Sequence, residues 1–281
     1  MKKLFILFLL LGVAGSAWAS NDWLTSAPNT DWFTATNWSL GHVPIRADVN
    51  NVRTYQTHLN TTYLPIISSG AAEAYQLEVG GDNDAVSPTK SRGKVTINGG
   101  TLTTGRLDGL AGGYFRCGAS STSNRWGEIY MNGGTVNVGG TEPFTVGWGS
   151  TTLDVRGWLY MTGGTINVTN TFIIGNAAGA SGWADLNSGT INAADFTMKV
   201  TAGTGTVSLD ITGDARVVIN GDKRTKVNGY IDNGWIRSNG VEITYADVTY
   251  NPGTDRTTII PEPATLCLLG IGALSLLRRK R

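Results

Sequence analysis

The feature that most constrains the fold of this chain is a short pattern that occurs four times: two alternating runs joined by a Gly-Gly or Ser-Gly turn. In each copy a Thr lies eight residues after the leading Gly. A degraded fifth copy begins at Gly205, so that successive copies start 34, 30, 25 and 23 residues apart. Periods of this size correspond to one supersecondary unit per repeat, and the chain is therefore predicted to be a repeat protein. The four complete copies occupy residues 93–102, 127–138, 157–168 and 182–191.

Each repeat is predicted to contain three short strands. Apolar residues lie two and four positions after the leading Gly, as at Leu159 and Met161, and alternate with polar or aromatic residues. This is the pattern of a strand with one buried face. After a turn at glycines, which readily adopt positive φ, a second strand buries Ile166 and Val168 and a third begins at Phe172. The predicted fold is an all-β, right-handed parallel β-helix of about five to six coils, with rungs about 4.8 Å apart.

A β-propeller and a β-sandwich are the alternative folds for such a repeat. Both favour antiparallel hairpins, but the repeats lack matched two-residue hairpin loops, and about 25 residues is short for a four-stranded blade. The sequence also shows no amphipathic helical segment. These features favour a solenoid built from strands alone.

The N-terminal residues have the features of an export signal. Lys2 and Lys3 precede an apolar run, and Ala17 and Ala19 form an Ala-x-Ala cleavage site. The apolar run is too short to span a bilayer, so residues 1–19 are predicted to be a removed signal peptide rather than an anchor.

The two ends of the predicted solenoid do not fit the repeat. Residues 20–70 are rich in Trp and are predicted to cap the first coil, because an open strand edge must be covered; an aromatic sugar-binding patch is the alternative. The repeats are assigned to residues 71–221, and residues 222–260 are predicted to cap the last coil with a closing hairpin. Residues 37–44, Asn-Trp-Ser-x-Gly-x-Val-Pro, resemble a segment found at the start of autotransporter-like β-helix passengers.

Residues 261–281 combine three features in a fixed order: a Pro-Glu-Pro motif, fourteen residues without a charge, and a basic end. As a helix the uncharged run spans about 21 Å, against about 30 Å for the hydrocarbon core of a bilayer, so its insertion is marginal. The basic residues are expected to stay on the cytoplasmic side. A plain membrane anchor is the alternative. The motif and the basic end consist of Pro261, Glu262, Pro263, Arg278, Arg279, Lys280 and Arg281.

This C-terminal segment resembles the PEP-CTERM sorting signal of Gram-negative bacteria. The resemblance implies transient contact with the inner membrane and cleavage by an exosortase-like membrane protease. It also implies delivery to the cell surface or the extracellular matrix, where such proteins are associated with exopolysaccharide and biofilm.

Charge and composition exclude several classes of function. The chain has 22 basic and 21 acidic residues, but the part between the two terminal signals has 16 basic and 20 acidic residues, a net charge of −4. Such a chain lacks the positive surface of a nucleic-acid-binding protein. Cys117 occupies an apolar position of the repeat and is predicted to be a small core residue rather than a reactive thiol. The chain has two His residues and no nucleotide-binding motif, so neither a metal site nor a cofactor is predicted.

The outward positions of the first strand predict no catalytic site. Many parallel β-helices are polysaccharide lyases or glycoside hydrolases, and these enzymes need clustered carboxylates. No two carboxylates are predicted to be neighbours along either outward column, so a non-enzymatic protein is predicted and such an enzyme is the alternative. One column is Lys94, Glu128, Trp158 and Trp183, and the other is Thr96, Tyr130, Tyr160 and Asp185.

Four aromatic residues of these columns are predicted to form a strip on the surface: Tyr130, Trp158, Tyr160 and Trp183. Flat rings on a rigid sheet are suited to stacking on sugar rings, so these residues are candidate carbohydrate contacts. Burial of the strip under a loop or the C-terminal segment is the alternative. Together the patterns predict an exported structural or adhesive protein of the cell surface or matrix.

Overall fold

The computed structural model of the 281-residue chain describes residues 21–24, 26–46, 51–54, 64–80, 91–105, 113–120, 125–149, 154–242 and 247–261. Its strands form a parallel β-solenoid of about five turns, which confirms the predicted all-β fold. The right-handed sense of the coil and the predicted cap boundaries stay predictions.

Each turn of the solenoid adds one parallel strand to each of three faces. The first face contains β3 (Ile66–Ile67), β6 (Ser91–Ile97), β9 (Arg125–Met131), the start of β12 (Val155–Ile174), the start of β13 (Ala180–Met198), β14 (Val207–Ile211) and β16 (Ile236–Ser238). The second face contains β4 (Ala71–Ala74), β7 (Thr101–Thr104), β10 (Thr135–Val138), the middle of β12 and β13, and β15 (Arg216–Asn220). The third face contains β1 (Asn21–Asp22), β2 (Asn51–Thr54), β5 (Gln76–Val79), β8 (Phe115–Ser120), β11 (Phe144–Gly149) and the ends of β12 and β13.

The core is built from columns of equivalent side chains that stack from coil to coil. On the third face the four Phe rings are stacked with centroid separations of 4.7, 5.3 and 5.6 Å. Cys117 lies in the neighbouring buried column beside Val146, as its repeat position predicts. Burial raises the pKa of the Cys117 thiol, so the thiol stays protonated and unreactive. The stacked rings belong to Phe115, Phe144, Phe172 and Phe196.

Close contact between successive coils explains the glycines of the repeat. Gly134 has a φ of +76°, and a Cβ atom built on it would lie 2.5 Å from the carbonyl oxygen of Gly100 on the preceding coil. At Gly157, which leads the third copy, a Cβ atom would lie 2.3 Å from the carbonyl oxygen of Cys117. A side chain at either position would therefore force neighbouring backbones apart.

Gly134→Ala is expected to lower the free energy of unfolding by at least about 2 kcal/mol, because Ala combines an unfavourable positive φ with a backbone clash. Gly229→Ala is the matched control: Gly229 lies in a helix, and a Cβ atom there meets no atom within 4 Å. This control should gain about 0.5–1 kcal/mol through helix propensity. Urea denaturation measures both, and equal stability of the two variants would contradict the steric explanation.

The strand pairing corrects the predicted register of the fifth copy. Gly182 pairs with Val207, and Ala184 pairs with Leu209, so the fifth rung begins two residues later than a start at Gly205 predicts. Gly205 instead lies at a corner, where a Cβ atom would be 2.1 Å from the carbonyl oxygen of Ala180. Glycine at this position allows the two backbones to approach closely, and Gly205 does not begin a repeat.

The N-terminal residues form a buried aromatic cluster. Trp32 and Trp38 are 0% and 1% exposed, their ring centroids are 4.7 Å apart, and Trp38 Nε1 donates a hydrogen bond to the carbonyl oxygen of Trp32. Trp23 is 4% exposed and packs edge-on against Trp38. A one-turn 3₁₀-helix, Ala35–Asn37, lies between Trp32 and Trp38. An exposed sugar-binding patch made of these three residues is therefore wrong; their burial fits the capping interpretation.

The C-terminal end contains the expected hairpin and an element that sequence reasoning missed. The hairpin consists of β18 (Val248–Asn251) and β19 (Arg256–Ile259), and β19 pairs antiparallel with β15 at the edge of the second face. Before the hairpin, β17 (Val241–Glu242) pairs antiparallel with β16, and residues 243–246 lie outside the described part.

The missed element is the helix α1, Arg224–Asp232. The expectation that the chain has no helix is wrong. Its two buried residues, Val227 and Ile231, are one helical turn apart, which is too weak a period to stand out in the sequence. Tyr230 meets the last stacked ring, Phe196, edge-on at 5.8 Å, and Lys226 Nζ lies 2.8 Å from Asp195. These contacts fasten the helix to the last coil.

Candidate functional site

The outer surface of the first face carries the residues predicted to contact a ligand. The register places both predicted columns on neighbouring rungs as expected, from Lys94 beside Glu128 to Trp158 beside Trp183. A third column runs alongside them through Trp126, Arg156 and Ser181. The first face is thus a grid of outward side chains with three columns.

The four predicted aromatic residues form two stacked pairs, here called the aromatic ladder: Tyr130, Trp158, Tyr160 and Trp183. The rings of Trp158 and Trp183 are 4.9 Å apart at an angle of 15°, and those of Tyr130 and Tyr160 are 4.8 Å apart at 26°. All four residues are half-buried, so neither full exposure nor complete cover describes them.

The ring separations are close to the spacing of successive rungs, so the rings stack along the solenoid axis instead of lying flat on the sheet. Their faces therefore contact one another, and the expectation of a flat stacking platform is wrong. Each ring stacks on its partner through one face only. On its other side Trp183 has Ser208 as its neighbour on the next rung, and a serine is too small to cover an indole.

Charged side chains brace the ladder at its other end. Lys94 Nζ lies 3.8 Å above the ring of Tyr130, and the hydroxyl of Tyr130 donates a hydrogen bond to Glu128 Oε2 at 3.1 Å. Trp126 meets Trp158 edge-on at 6.0 Å and lies under the guanidinium of Arg156 at 4.9 Å. These contacts hold the rings in one orientation.

A cleft of about 440 Å³ lies at the Trp183 end of the ladder. The cleft forms because the side chains of the third column become smaller along the solenoid, from Trp126 and Arg156 to Ser181. The corner before β14 also consists of small residues. Arg156 Nε donates a hydrogen bond to Asp154 Oδ1 at 2.6 Å on one wall. The lining includes Asp154, Arg156, Ser181, Trp183, Thr204 and Thr206.

Sequence reasoning missed most of this cleft. The predicted columns included Trp183 but not Arg156 or Ser181, although both lie at outward positions two residues away from a predicted residue on the same strand. The period-2 pattern, extended by two residues toward the N-terminus of each strand, includes both of them. Asp154 and Thr206 lie before their strands begin, where no period applies.

Two carboxylates are neighbours on this face, which contradicts the prediction. Asp185 pairs with Asp210 on the next rung. The prediction failed because the fifth copy was placed two residues out of register. The amide of Gly240 donates a hydrogen bond to Asp210 Oδ2 at 2.8 Å, while Asp185 stays exposed overall. Partial desolvation, followed by repulsion from Asp210, raises the pKa of Asp185 above the ordinary aspartate value of 3.8.

The folded chain holds a proton on Asp185 more tightly than the unfolded chain does. Protonated Asp185 therefore favours folding below pH 3.8, and this contribution to stability is lost as the pH rises through the raised pKa. Asp185→Asn should therefore raise the melting temperature at pH 7 and leave it nearly unchanged at pH 3. Differential scanning calorimetry at both pH values measures this. Asp214→Asn, in an exposed turn, serves as the control. A lower melting temperature for Asp185→Asn at pH 7 would contradict the assignment.

Other chemical signals are few in the part of the chain that the structure describes. No group of three or more His, Cys, Asp and Glu side chains lies close enough together there to hold a metal ion. Among the same residues, no helix has the length and hydropathy of a membrane span.

The two terminal signals lie almost entirely outside the described residues. The predicted cleavage positions Ala17 and Ala19 are not described, and the described chain ends at Pro261, before the rest of the predicted sorting motif.

The fold and the surface define a class of protein, an all-β parallel solenoid with an aromatic ladder on one face. The C-terminus adds a sorting signal. Residues 260–281 match the family model of the PEP-CTERM protein-sorting motif, the C-terminal sorting signal of exosortase substrates, which confirms the predicted resemblance at the tail. The motif indicates an exported protein that is sorted to the cell envelope or surface and implies processing by the membrane protein exosortase. No curated protein and no solved structure is significantly similar to the chain.

Proposed function

We propose that this protein is a non-catalytic structural or adhesive protein of the cell surface or extracellular matrix of a Gram-negative bacterium. It binds extracellular polysaccharide through the first face of its solenoid. The observation that carries the proposal is the aromatic ladder on the outer surface of a chain that bears a sorting signal. No cofactor takes part in this function.

Two further properties of the molecule support the proposal. The solenoid is rigid, because each rung is hydrogen-bonded to the next and the Phe rings stack through the core. A rigid sheet holds aromatic side chains in place without the entropic cost of ordering them on binding. At the C-terminal end of the solenoid, the last strands of the first and second faces are also paired, by the antiparallel pairing of β17 with β16 and of β19 with β15. Such an end favours a discrete rod over an open fibre.

The proposal predicts that the purified protein is retained by a neutral or acidic extracellular polysaccharide in affinity electrophoresis. The double variant Trp158→Ala, Trp183→Ala should lose this retention, because it removes the largest apolar contacts of the ladder. Its circular dichroism spectrum should stay that of the parent. Phe33→Ala, at an exposed aromatic residue far from the ladder in the sequence, is the control and should be retained normally. Unchanged retention of the double variant would overturn the role of the ladder.

A polysaccharide lyase or glycoside hydrolase is the second candidate, and the pairing of Asp185 with Asp210 is the observation that favours it. Neighbouring carboxylates of which one has a raised pKa are the arrangement that general acid catalysis needs. The same polysaccharides should be screened for new reducing or unsaturated ends, with and without Ca²⁺. Product formation that Asp185→Asn abolishes would replace the non-catalytic proposal, whereas binding without products supports it.

A further inference from the structure

We propose that the cleft beside Trp183 is a subsite for a single neutral sugar residue with adjacent free hydroxyl groups. This inference rests on the proposed carbohydrate binding and gives it a place and a specificity. The ladder then supports one binding position, beside Trp183, and is not a row of equivalent contacts.

The stacking geometry locates the position. Trp158 has one ring face against Trp183, meets Trp126 edge-on, and has Glu128 as its neighbour on the preceding rung. Trp183 has Trp158 on one side and only Ser208 as its rung neighbour on the other. An apolar sugar face needs a free aromatic face for stacking, and the Trp183 indole offers one.

The lining of the cleft supplies polar groups next to this ring. The guanidinium of Arg156 has five N–H donors, of which Nε is bonded to Asp154 Oδ1. Asp154 adds carboxylate acceptors, and Ser181 and Thr206 add hydroxyl groups within the same cleft. Adjacent sugar hydroxyls both donate and accept hydrogen bonds, so they match a wall that contains both kinds of partner.

The charge of the wall selects a neutral ligand. Asp154 and Arg156 are an ion pair, and each is about one third exposed, at 35% and 37% of its side chain. Their charges cancel, so the cleft has no excess positive charge for a uronic acid, and the Asp154 carboxylate repels a sugar carboxylate. The cleft volume of about 440 Å³ is in the range of small-molecule sites.

The test uses the purified protein and the methyl glycosides of glucose, galactose and mannose, with methyl glucuronide as the charged comparison. Binding is followed by isothermal titration calorimetry and by ligand-observed NMR. Trp183→Ala should weaken binding of the preferred glycoside by about tenfold or more, since it removes the stacking face. Arg156→Met keeps the bulk of the wall and removes its donors, and a similar loss is expected.

Thr206→Trp is the sharpest variant, because it fills the cleft from an exposed corner and removes none of the other lining groups. It should abolish glycoside binding while the melting temperature stays near that of the parent. Thr96→Trp is the matched control: it adds the same side chain at the other end of the first face, beside Tyr130. This control should bind the glycoside normally.

The outcomes separate the subsite from the wider function. Glycoside binding that Thr206→Trp abolishes and Thr96→Trp preserves supports the subsite. Retention of polysaccharide without binding of any neutral glycoside, or unchanged binding by Thr206→Trp, overturns the subsite and leaves the proposed function in place. Binding of the glucuronide as tightly as the neutral glycosides overturns the neutral specificity. No binding of polysaccharide or glycoside by the parent protein overturns both proposals.

Discussion

Phe144→Ala is expected to lower the free energy of unfolding by about 3–5 kcal/mol, because it removes a fully buried ring and leaves a cavity between two others. Phe144 is 0% exposed and stacks on Phe115 at 4.7 Å and on Phe172 at 5.3 Å. In a solenoid each coil is stabilised by its neighbours, so the loss weakens two inter-coil contacts at once. The melting temperature should fall by roughly 6–20 °C.

Calorimetry and urea denaturation measure this effect. The matched control is Phe33→Ala, since Phe33 is 37% exposed and its loss should cost less than about 1 kcal/mol. An equal effect of the two substitutions would show that the stacked column does not dominate the stability of the rod. A separate early transition in Phe144→Ala would instead show that the coils unfold in sections.

The second large effect concerns sorting. Replacing Pro261, Glu262 and Pro263 together by Ala is expected to block processing, because the motif is the part of the sorting signal that precedes the apolar run. The variant should accumulate in the inner-membrane fraction with an intact C-terminus, and its amount at the cell surface should fall at least tenfold. Immunoblots of cell fractions and mass spectrometry of the C-terminal peptide measure this outcome.

Pro252→Ala is the control for this triple variant, since Pro252 lies in the turn of the closing hairpin, outside the sorting motif. It should be processed and delivered normally. Normal surface delivery of the triple variant would contradict recognition of Pro-Glu-Pro. Loss of both proteins from the surface would point to a folding defect in place of a sorting defect.

The inward and outward faces of the strands could be predicted from sequence because one short period was sufficient. Side chains on a strand alternate between its two faces, so residues of one parity are buried whatever the exact start of the rung. Val207 and Leu209 are buried as expected, although their copy was placed two residues out of register. The same periodicity placed Trp158 beside Trp183 and Cys117 beside Val146.

The helix α1 could not be read from the sequence for a different reason. Only Val227 and Ile231 are buried in its nine residues, so its apolar stripe is a single pair. The helix is stabilised by contacts with the last coil, such as Lys226 with Asp195 and Tyr230 with Phe196. Marginal helices of this length depend on tertiary packing.

The local sequence pattern therefore determined that the chain forms a repeating coil of three strands, which residues face inward, and where the sorting signal lies. The export signal at residues 1–19 stays a prediction. Tertiary structure alone decided how the outward rings are oriented and which outward side chains meet at the last rung. Neighbours on adjacent rungs of these columns are 25 to 34 residues apart in the sequence, and the length and corners of the intervening chain set their register. Gly205 belongs to a corner against Ala180, which brings Asp185 beside Asp210 and leaves Trp183 beside Ser208. The ring orientation and the cleft follow from that register, because stacking and small neighbours act between coils and not along the chain.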